Sequence, residues 1–252
     1  MTDAPRNFAD ALPPWPAVDF AAFGDVEVKP LPRMRKFAAG FLARNWAMIP
    51  HVTHHDDADI TALEALRKRL NDAEPQGKLT LLPFLAKAAA RALGEFPQFN
   101  ASLDATSTNV VYKKYCHVGV AVDTPNGLLV PVIRDCDKRA VREIGTDIVA
   151  LSEKARTKGL PLSDMSGGCF TITSLGGIGG TYFTPIINAP EVAILGVCRA
   201  RMQPVWNGKE FAPRLMLPLS LSWDHRVVDG AAAARFNAHL VAMLGDARRM
   251  LL

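Results

Sequence analysis

His225 stands four residues before Asp229-Gly230 in the segment SLSWDHRVVDG, residues 220–230. An imidazole with an ordinary pKa near 6.5 is the side chain best suited to moving protons at neutral pH. Spacing alone, however, reads more readily as a surface histidine and a helix-capping aspartate than as a catalytic pair. Two further clusters compete with it. HVTHHDD carries His51, His54 and His55 beside Asp56 and Asp57, and strand alternation puts His51 and His55 on one face and His54 on the other. The glycine run of residues 176–180, GGIGG, has the look of a phosphate cradle but fits neither the Walker A nor the GxGxxG spacing. Cys116, Cys136, Cys169 and Cys198 are far apart and form no CxxC pair. They read as reduced packing thiols of an intracellular, cytoplasmic protein.

These groups need elements to hold them. Residues 34–47 read as a first helix stopped by Pro50, and the alternation after it as a strand ending near Asp59. Asp59 is placed to cap the next helix, where Ile60, Leu63, Leu66 and Leu70 recur at helical spacing. Residues 80–95 form a nearly all-apolar helix, buried on most sides. CHVGVAVDTPNGLLVPVIRD reads as two β runs about the turn DTPNG, and residues 141–157 as an amphipathic helix. GCFTITSLGG is a strand entering the glycine loop. EVAILGV and RLMLPLSLSW are further strands, with a hairpin turn at Asn207-Gly208 between them. Asp229 caps a terminal helix bearing Phe236, Leu240, Met243, Leu244, Ala247 and Leu251 on one face. Helices and strands interleave without strict βα alternation, which predicts an α+β fold with a mixed sheet covered by helices.

The 252 residues carry a formal net charge of +4, with 49% apolar and 21% charged residues. That composition belongs to a globular chain and excludes a disordered one. Without a Lys/Arg block there is no case for nucleic acid. No apolar run reaches the roughly 18 residues of a membrane helix. Residues 1–25, rich in Pro, Ala and Phe, read as an extended arm or linker end, and residues 26–252 as one domain.

Several long blocks resemble the catalytic domain of dihydrolipoamide acyltransferases, the core subunits of 2-oxo acid dehydrogenase complexes. They are RNWAMIPHVTHHDDADITALEALRK, KKYCHVGVAVDTPNGLLVPVIRD, GGCFTITSLGGIGGTYFTPIINAPEVAILGV and PVWNGKEFAPRLMLPLSLSWDHRVVDG, followed by AAAARF. The wording is most similar to the bacterial pyruvate dehydrogenase branch. The resemblance implies a chloramphenicol acetyltransferase-like, trimer-forming fold with active sites between subunits, a possible 24-subunit cubic assembly, and no metal. It further implies transfer of an acyl group, acetyl in this branch, between a dihydrolipoyl thiol and coenzyme A.

By the same resemblance His225 matches the family's catalytic histidine, and Thr173 the hydroxyl that donates to the oxyanion. Many relatives have serine at that position, so Thr173 is a departure that keeps the donor and restricts χ1. Asp229 matches the motif's acid, expected to hold the site through an arginine, Arg33 or Arg35, more than to act in a triad. Ser174 and Gly177 border the channel. Arg67, ahead of Lys68, Arg69 and Lys87, is the candidate for the coenzyme A phosphates. No lipoyl-bearing or dehydrogenase-binding segment precedes residue 20 of the sequence. The expected donor is therefore a lipoyl-domain protein or another complex component acting in trans. The alternatives are a non-catalytic core subunit assembling with a lipoyl-bearing paralogue, or a free-standing coenzyme A acyltransferase or thioester-cleaving enzyme.

Overall fold

The computed structural model describes residues 14–250 apart from Gln76, Asn126 and the Arg33 side chain. The first half of the expected arm, the Asn126 corner of the DTPNG turn and Leu251 lie outside those residues. From Pro14 to Pro32 the chain forms a single 3-10 turn, Phe20–Ala22, and no strand, with its side chains exposed.

Helix α1 (Arg33–Met48) leads into β1 (His51–Asp59), then α2 (Thr61–Ala73) and α3 (Leu82–Glu95). Short strands follow: β2 (Ala101–Leu103), β3 (Val110–Tyr112), β4 (Val118–Val120), β5 (Val122–Thr124), β6 (Gly127–Leu129) and β7 (Val132–Ile133). Helices α4 (Val141–Thr157) and α5 (Leu162–Met165) precede β8 (Phe170–Ser174), β9 (Ala193–Val197), β10 (Arg201–Trp206) and β11 (Phe211–Asp224). Helix α6 (Gly230–Gly245) and a 3-10 turn, Ala247–Met250, end the described chain.

The main sheet is mixed, in the order β1-β11-β9-β8-β4-β7, with β10 paired to the first half of β11. Strands β8 and β9 run parallel to each other and β4 parallel to β8, whereas β1 and β11 are antiparallel. The expected β runs around DTPNG are each cut in two. Val118–Val120 joins the main sheet, whereas Val122–Thr124 pairs with Gly127–Leu129 in a separate ribbon.

Period-two alternation gives this sheet two unlike faces. Leu217, Leu219, Leu221 and Trp223 of β11 point with Ala193, Leu195, Val197, Phe170 and Ile172 into the main core. There they meet Phe84, Leu85 and Leu93 of α3 and Phe236, Leu240 and Leu244 of α6. Phe236 stacks on Phe99 at 4.1 Å between ring centroids. The opposite face is polar. It carries His51, Thr53 and His55 on β1, Ser220, Ser222 and Asp224 on β11, and Thr171 and Thr173 on β8. Ser220 and Ser222 are nonetheless buried, because the stretch from Tyr182 to Glu191 lies over them.

The α6 cap follows the sequence reading, whereas at α2 the N-cap position falls to Ile60, with no side-chain cap bond, and the expected Asp59 lies one residue before it. Asp229 accepts from the Ala232 N–H at 2.7 Å and starts α6. Asp59 accepts from the Thr61 N–H and hydroxyl at the start of α2. All four cysteines are free and buried. Burial pushes Cys136 up to about 11 and Cys116 higher still, so neither is a ready nucleophile. Among the described residues no helix is long and apolar enough to cross a membrane.

Candidate active site

Strand β11 ends by delivering His225 into a tight turn. Asp224, 2% exposed, fixes that turn. Its carboxylate accepts from the Arg226 backbone N–H at 3.0 Å and from the guanidinium at 2.9 and 2.6 Å. Its own N–H donates to the Val192 carbonyl, and the His225 N–H donates to Pro50 at 3.1 Å. The backbone on both sides of the histidine is thus tied down. The imidazole itself is exposed and has no hydrogen-bond partner among the described residues. An immobile backbone carrying a free, solvent-facing imidazole suits proton transfer to an incoming group. By contrast, His51 is spent on structure. Its Nδ1–H donates to Ile49 O, and its Nε2 accepts from the Ile187 N–H.

Thr173 lies on the polar face, in a cross-strand row with Gly196, Ser220 and His55. Its neighbours' hydroxyls are paired: Thr53 with Ser222 at 2.8 Å, Ser220 with His55 Nδ1 at 2.9 Å, and Thr171 with Asn188 at 3.4 Å. The half-buried Thr173 hydroxyl has no protein partner among the described residues. Adjacent Ser174 is exposed and accepts from the Gly176 N–H at 3.3 Å, which ties the start of the glycine loop to β8. Gly177 is exposed in that loop, and Gly180 takes φ +86°, a conformation that favours glycine.

Other candidates are placed differently. Arg67 is forked onto Glu64 at 2.7 and 2.8 Å and donates to the Leu79 carbonyl, holding α2 to the approach to α3. Lys87 donates to the carbonyls of Asp137 and Arg139 at 2.8 Å each. Arg69 is exposed. Asp229 is occupied with its cap and makes no ion pair with Arg35 among the described residues. The Arg33 side chain, the other expected partner, lies outside the described residues. The motif also holds an ion pair that sequence reading missed, Arg226 with Asp224, present in the letters DHR. Sequence reading also missed Glu191. This acid inside APEVAILGV is 4% exposed, with Oε2 lacking a partner. Burial pushes its pKa up to about 7, against the opposing pull of Thr171, Lys113 and Asn188.

Within one chain His225 and Thr173 do not meet. Thr173 is level with Ser220 across two strand spacings, and His225 lies five residues further along the β11 direction. Strand dimensions make that separation roughly 15–20 Å.

The model of the 2-oxoacid dehydrogenases acyltransferase family (catalytic domain) matches residues 23–252. The chain belongs to this family. Its sequence is 60% identical over 96% of its length to the dihydrolipoyllysine-residue acetyltransferase component of the pyruvate dehydrogenase complex of Cupriavidus necator. The Azotobacter vinelandii component is 56% identical over 93% of the chain. The chain spans 44% and 37% of those two relatives' lengths. Among solved structures, Azotobacter vinelandii dihydrolipoamide acetyltransferase superposes with TM-score 0.93 at 54% identity, covering 96% of this chain and all of that one. That crystal structure comes from an investigation of a serine, a histidine and an asparagine in the catalytic mechanism of the enzyme. The cubic core of the pyruvate dehydrogenase multienzyme complex superposes equally well. Chloramphenicol acetyltransferase, 14% identical with TM-score 0.57 over 81% of this chain and 94% of that one, shares the fold.

Proposed function

We propose that this acyltransferase-family domain moves an acetyl group between a dihydrolipoyl thiol carried on another chain or segment and coenzyme A. The observation that carries the reading is the free hydroxyl of Thr173 on a face where the neighbouring hydroxyls are paired, together with the free imidazole of His225. The serine, histidine and asparagine studied in the Azotobacter enzyme have the spacing of Thr173, His225 and Asp229 here.

The chemistry needs both groups. A thiol of pKa near 8.5 is only a few per cent thiolate at neutral pH. The His225 imidazole takes its proton as sulfur attacks the thioester carbonyl carbon. The carbonyl π electrons move to oxygen, and the Thr173 hydroxyl donates to that oxyanion. Collapse restores the carbonyl, breaks the original C–S bond, and returns the proton from His225 to the departing sulfur. No acyl-enzyme forms. One donor so placed supplies a factor of roughly 10²–10³ in rate.

Because the two residues of one chain stand too far apart, the site is completed by a second copy, His225 of one protomer facing Thr173 of its neighbour. We therefore propose a trimer, with residues 26–252 as the transferase unit and the segment before them as an arm. Exposed Met34, Phe41, Leu42 and Trp46 of α1 and Trp15, Phe23 and Val28 before it supply apolar surface for such contacts. The cubic-core relative supports assembly of trimers into a 24-subunit particle. Coenzyme A and the dihydrolipoyl arm enter as substrates, over the loop bearing Ser174 and Gly177.

The test is acetyl transfer from acetyl-CoA to free dihydrolipoamide, with light scattering on the same sample. A transfer rate no better than that of His225→Ala overturns the catalytic reading, and an active monomer overturns the shared site.

A further inference from the structure

The stretch from Tyr182 to Glu191 roofs the polar face, and at one residue both of its backbone polar groups are gripped by side chains. Ile187, buried against Ile49 and Ile194, lies in no strand. Its N–H donates to His51 Nε2 at 3.0 Å, and its carbonyl accepts from Asn45 Nδ2 at 3.0 Å. Helix α1 and β1 thus give the roof the two bonds that a neighbouring strand would supply. The grip stands between the two groups assigned to the chemistry. Beside Ile187, Asn188 donates to the Thr171 hydroxyl, two residues before Thr173 on β8. Just past the roof, the Val192 carbonyl accepts from the Asp224 N–H at 2.8 Å, and the Pro50 carbonyl, next to His51, accepts from the His225 N–H. At the other end the Phe183 ring stands over Gly196 of β9.

Only one protonation state of His51 fits this grip. The Ile49 carbonyl can only accept and the Ile187 N–H can only donate, so the ring carries its proton on Nδ1 and a lone pair on Nε2. An imidazolium would set N–H against N–H. The charged and titratable groups on the surrounding elements are Asp224, opposite His51 on β11, with Arg226 and His225 after it, Arg44 on α1 and Glu191 of the roof. Asp224 is committed to Arg226, Arg44 donates to Asn45, and among the described residues no acid lies within ion-pair distance of His51. The indole of Trp46 packs on the ring at 5.4 Å between centroids.

We propose that His51 is a positioning residue for acyl transfer, and that it keeps both catalytic groups in place only as the neutral imidazole. This rests on the reading that His225 and Thr173 carry out the transfer. Protonation of His51 frees Ile187, and the segment loosens at Asn188 beside β8 and at Val192 beside the His225 turn. A misplacement of about 1 Å at a reacting group costs roughly a hundredfold in rate. The reaction then needs two neutral imidazoles, one to take the proton and one to hold the frame.

The experiment measures kcat and KM for acetyl transfer from acetyl-CoA to dihydrolipoamide between about pH 5 and pH 8, the range in which imidazoles titrate, using the full chain, His51→Leu and His51→Gln. At about pH 8, His51→Leu should lose roughly ten- to a hundredfold in kcat with KM little changed. His51→Gln keeps an amide oxygen for the Ile187 N–H and does not titrate, so it should recover most of that loss. On acidification, wild-type kcat/KM should approach a fall of about a hundredfold per pH unit, for two protons. In His51→Gln the fall should be about tenfold per unit, for the His225 proton alone. A merely structural role lowers the melting temperature and leaves the two acid limbs equally steep. Should His51→Leu fail to fold by circular dichroism, His51→Gln decides by the steepness of its limb. Equally steep limbs, or a folded His51→Leu within about threefold of the wild-type kcat, overturn this assignment alone. A wild type that transfers no acetyl group overturns the function beneath it and this assignment together.

Discussion

Replacing Thr173 by valine is the sharpest perturbation of the site. Valine keeps the β-branched shape that β8 packs and removes only the hydroxyl. In the structure that hydroxyl bonds to nothing among the described residues, so its loss strands no buried partner there. Folding stability should stay within about 0.5 kcal/mol of wild type. If the hydroxyl holds the oxyanion, its loss removes an interaction made only as negative charge develops. The expected fall in kcat is about 10²–10³, or roughly 3–4 kcal/mol, with KM little changed. Thr173→Ser keeps the donor and frees χ1, so it should fall within a few-fold of wild type. The assay is initial acetyl transfer from acetyl-CoA to dihydrolipoamide, paired with thermal unfolding of each variant. A normally folded Thr173→Val enzyme within threefold of the wild-type kcat refutes the argument.

The remaining expectations concern the scaffold. Asp229→Ala should cost about 1 kcal/mol through loss of the α6 cap. Asp229→Asn, which caps as well, should match wild type in melting temperature and transfer rate, and a large loss of rate in it would make the aspartate a chemical participant. Gly196→Ala puts a carbon where the Phe183 ring stands. It should destabilise by about 1–3 kcal/mol, read as a melting temperature several degrees lower. Glu191 gives a pH signature. Its carboxyl holds a proton up to about pH 7 when folded, whereas the ordinary group lets go near 4.5. The stabilisation is complete below pH 4.5 and is lost as pH rises through 7, by up to tenfold in the folding constant per unit. Glu191→Gln should remove that slope from denaturant titrations at pH 4.5–7, and an identical slope in both proteins would show that the group does not titrate there.

Elements governed by local rules were legible in the sequence. Asp229 could be read as a cap because a short acid before an apolar repeat has one good use, and Asp59 missed the cap position of α2 by one residue. β1, β8, β9 and the second half of β11 were legible through alternation or through short apolar runs. What failed was long-range partnership. Nothing local tells Val118–Val120 to enter the main sheet while Val122–Thr124 turns aside into a ribbon. The pairing of Arg226 with the buried Asp224 was likewise not foreseen, although the two are close together in the letters DHR. The burial of Asp224, which gives that pair its importance, depends on the neighbouring strands.

The site shows the same division more sharply. Resemblance pointed to His225 and Thr173, whereas the residues alone left His225 a surface imidazole and offered no reason to prefer Thr173 over Thr171 or Ser174. Structure supplies the reason by elimination. Thr171 is buried against Asn188 and Glu191, Ser174 falls by alternation on the opposite face of β8, and Thr173 keeps its hydroxyl free on the face that Phe183 only partly covers. A donor left unpaired on an otherwise satisfied face forgoes a hydrogen bond that nearby polar groups have found. Such a vacancy is reasonable where the missing partner is the substrate. The sheet also holds this donor some 15–20 Å from the free imidazole of the same chain. Chemistry that needs both must therefore be assembled from two copies, and oligomerisation becomes a condition of catalysis as well as of stability.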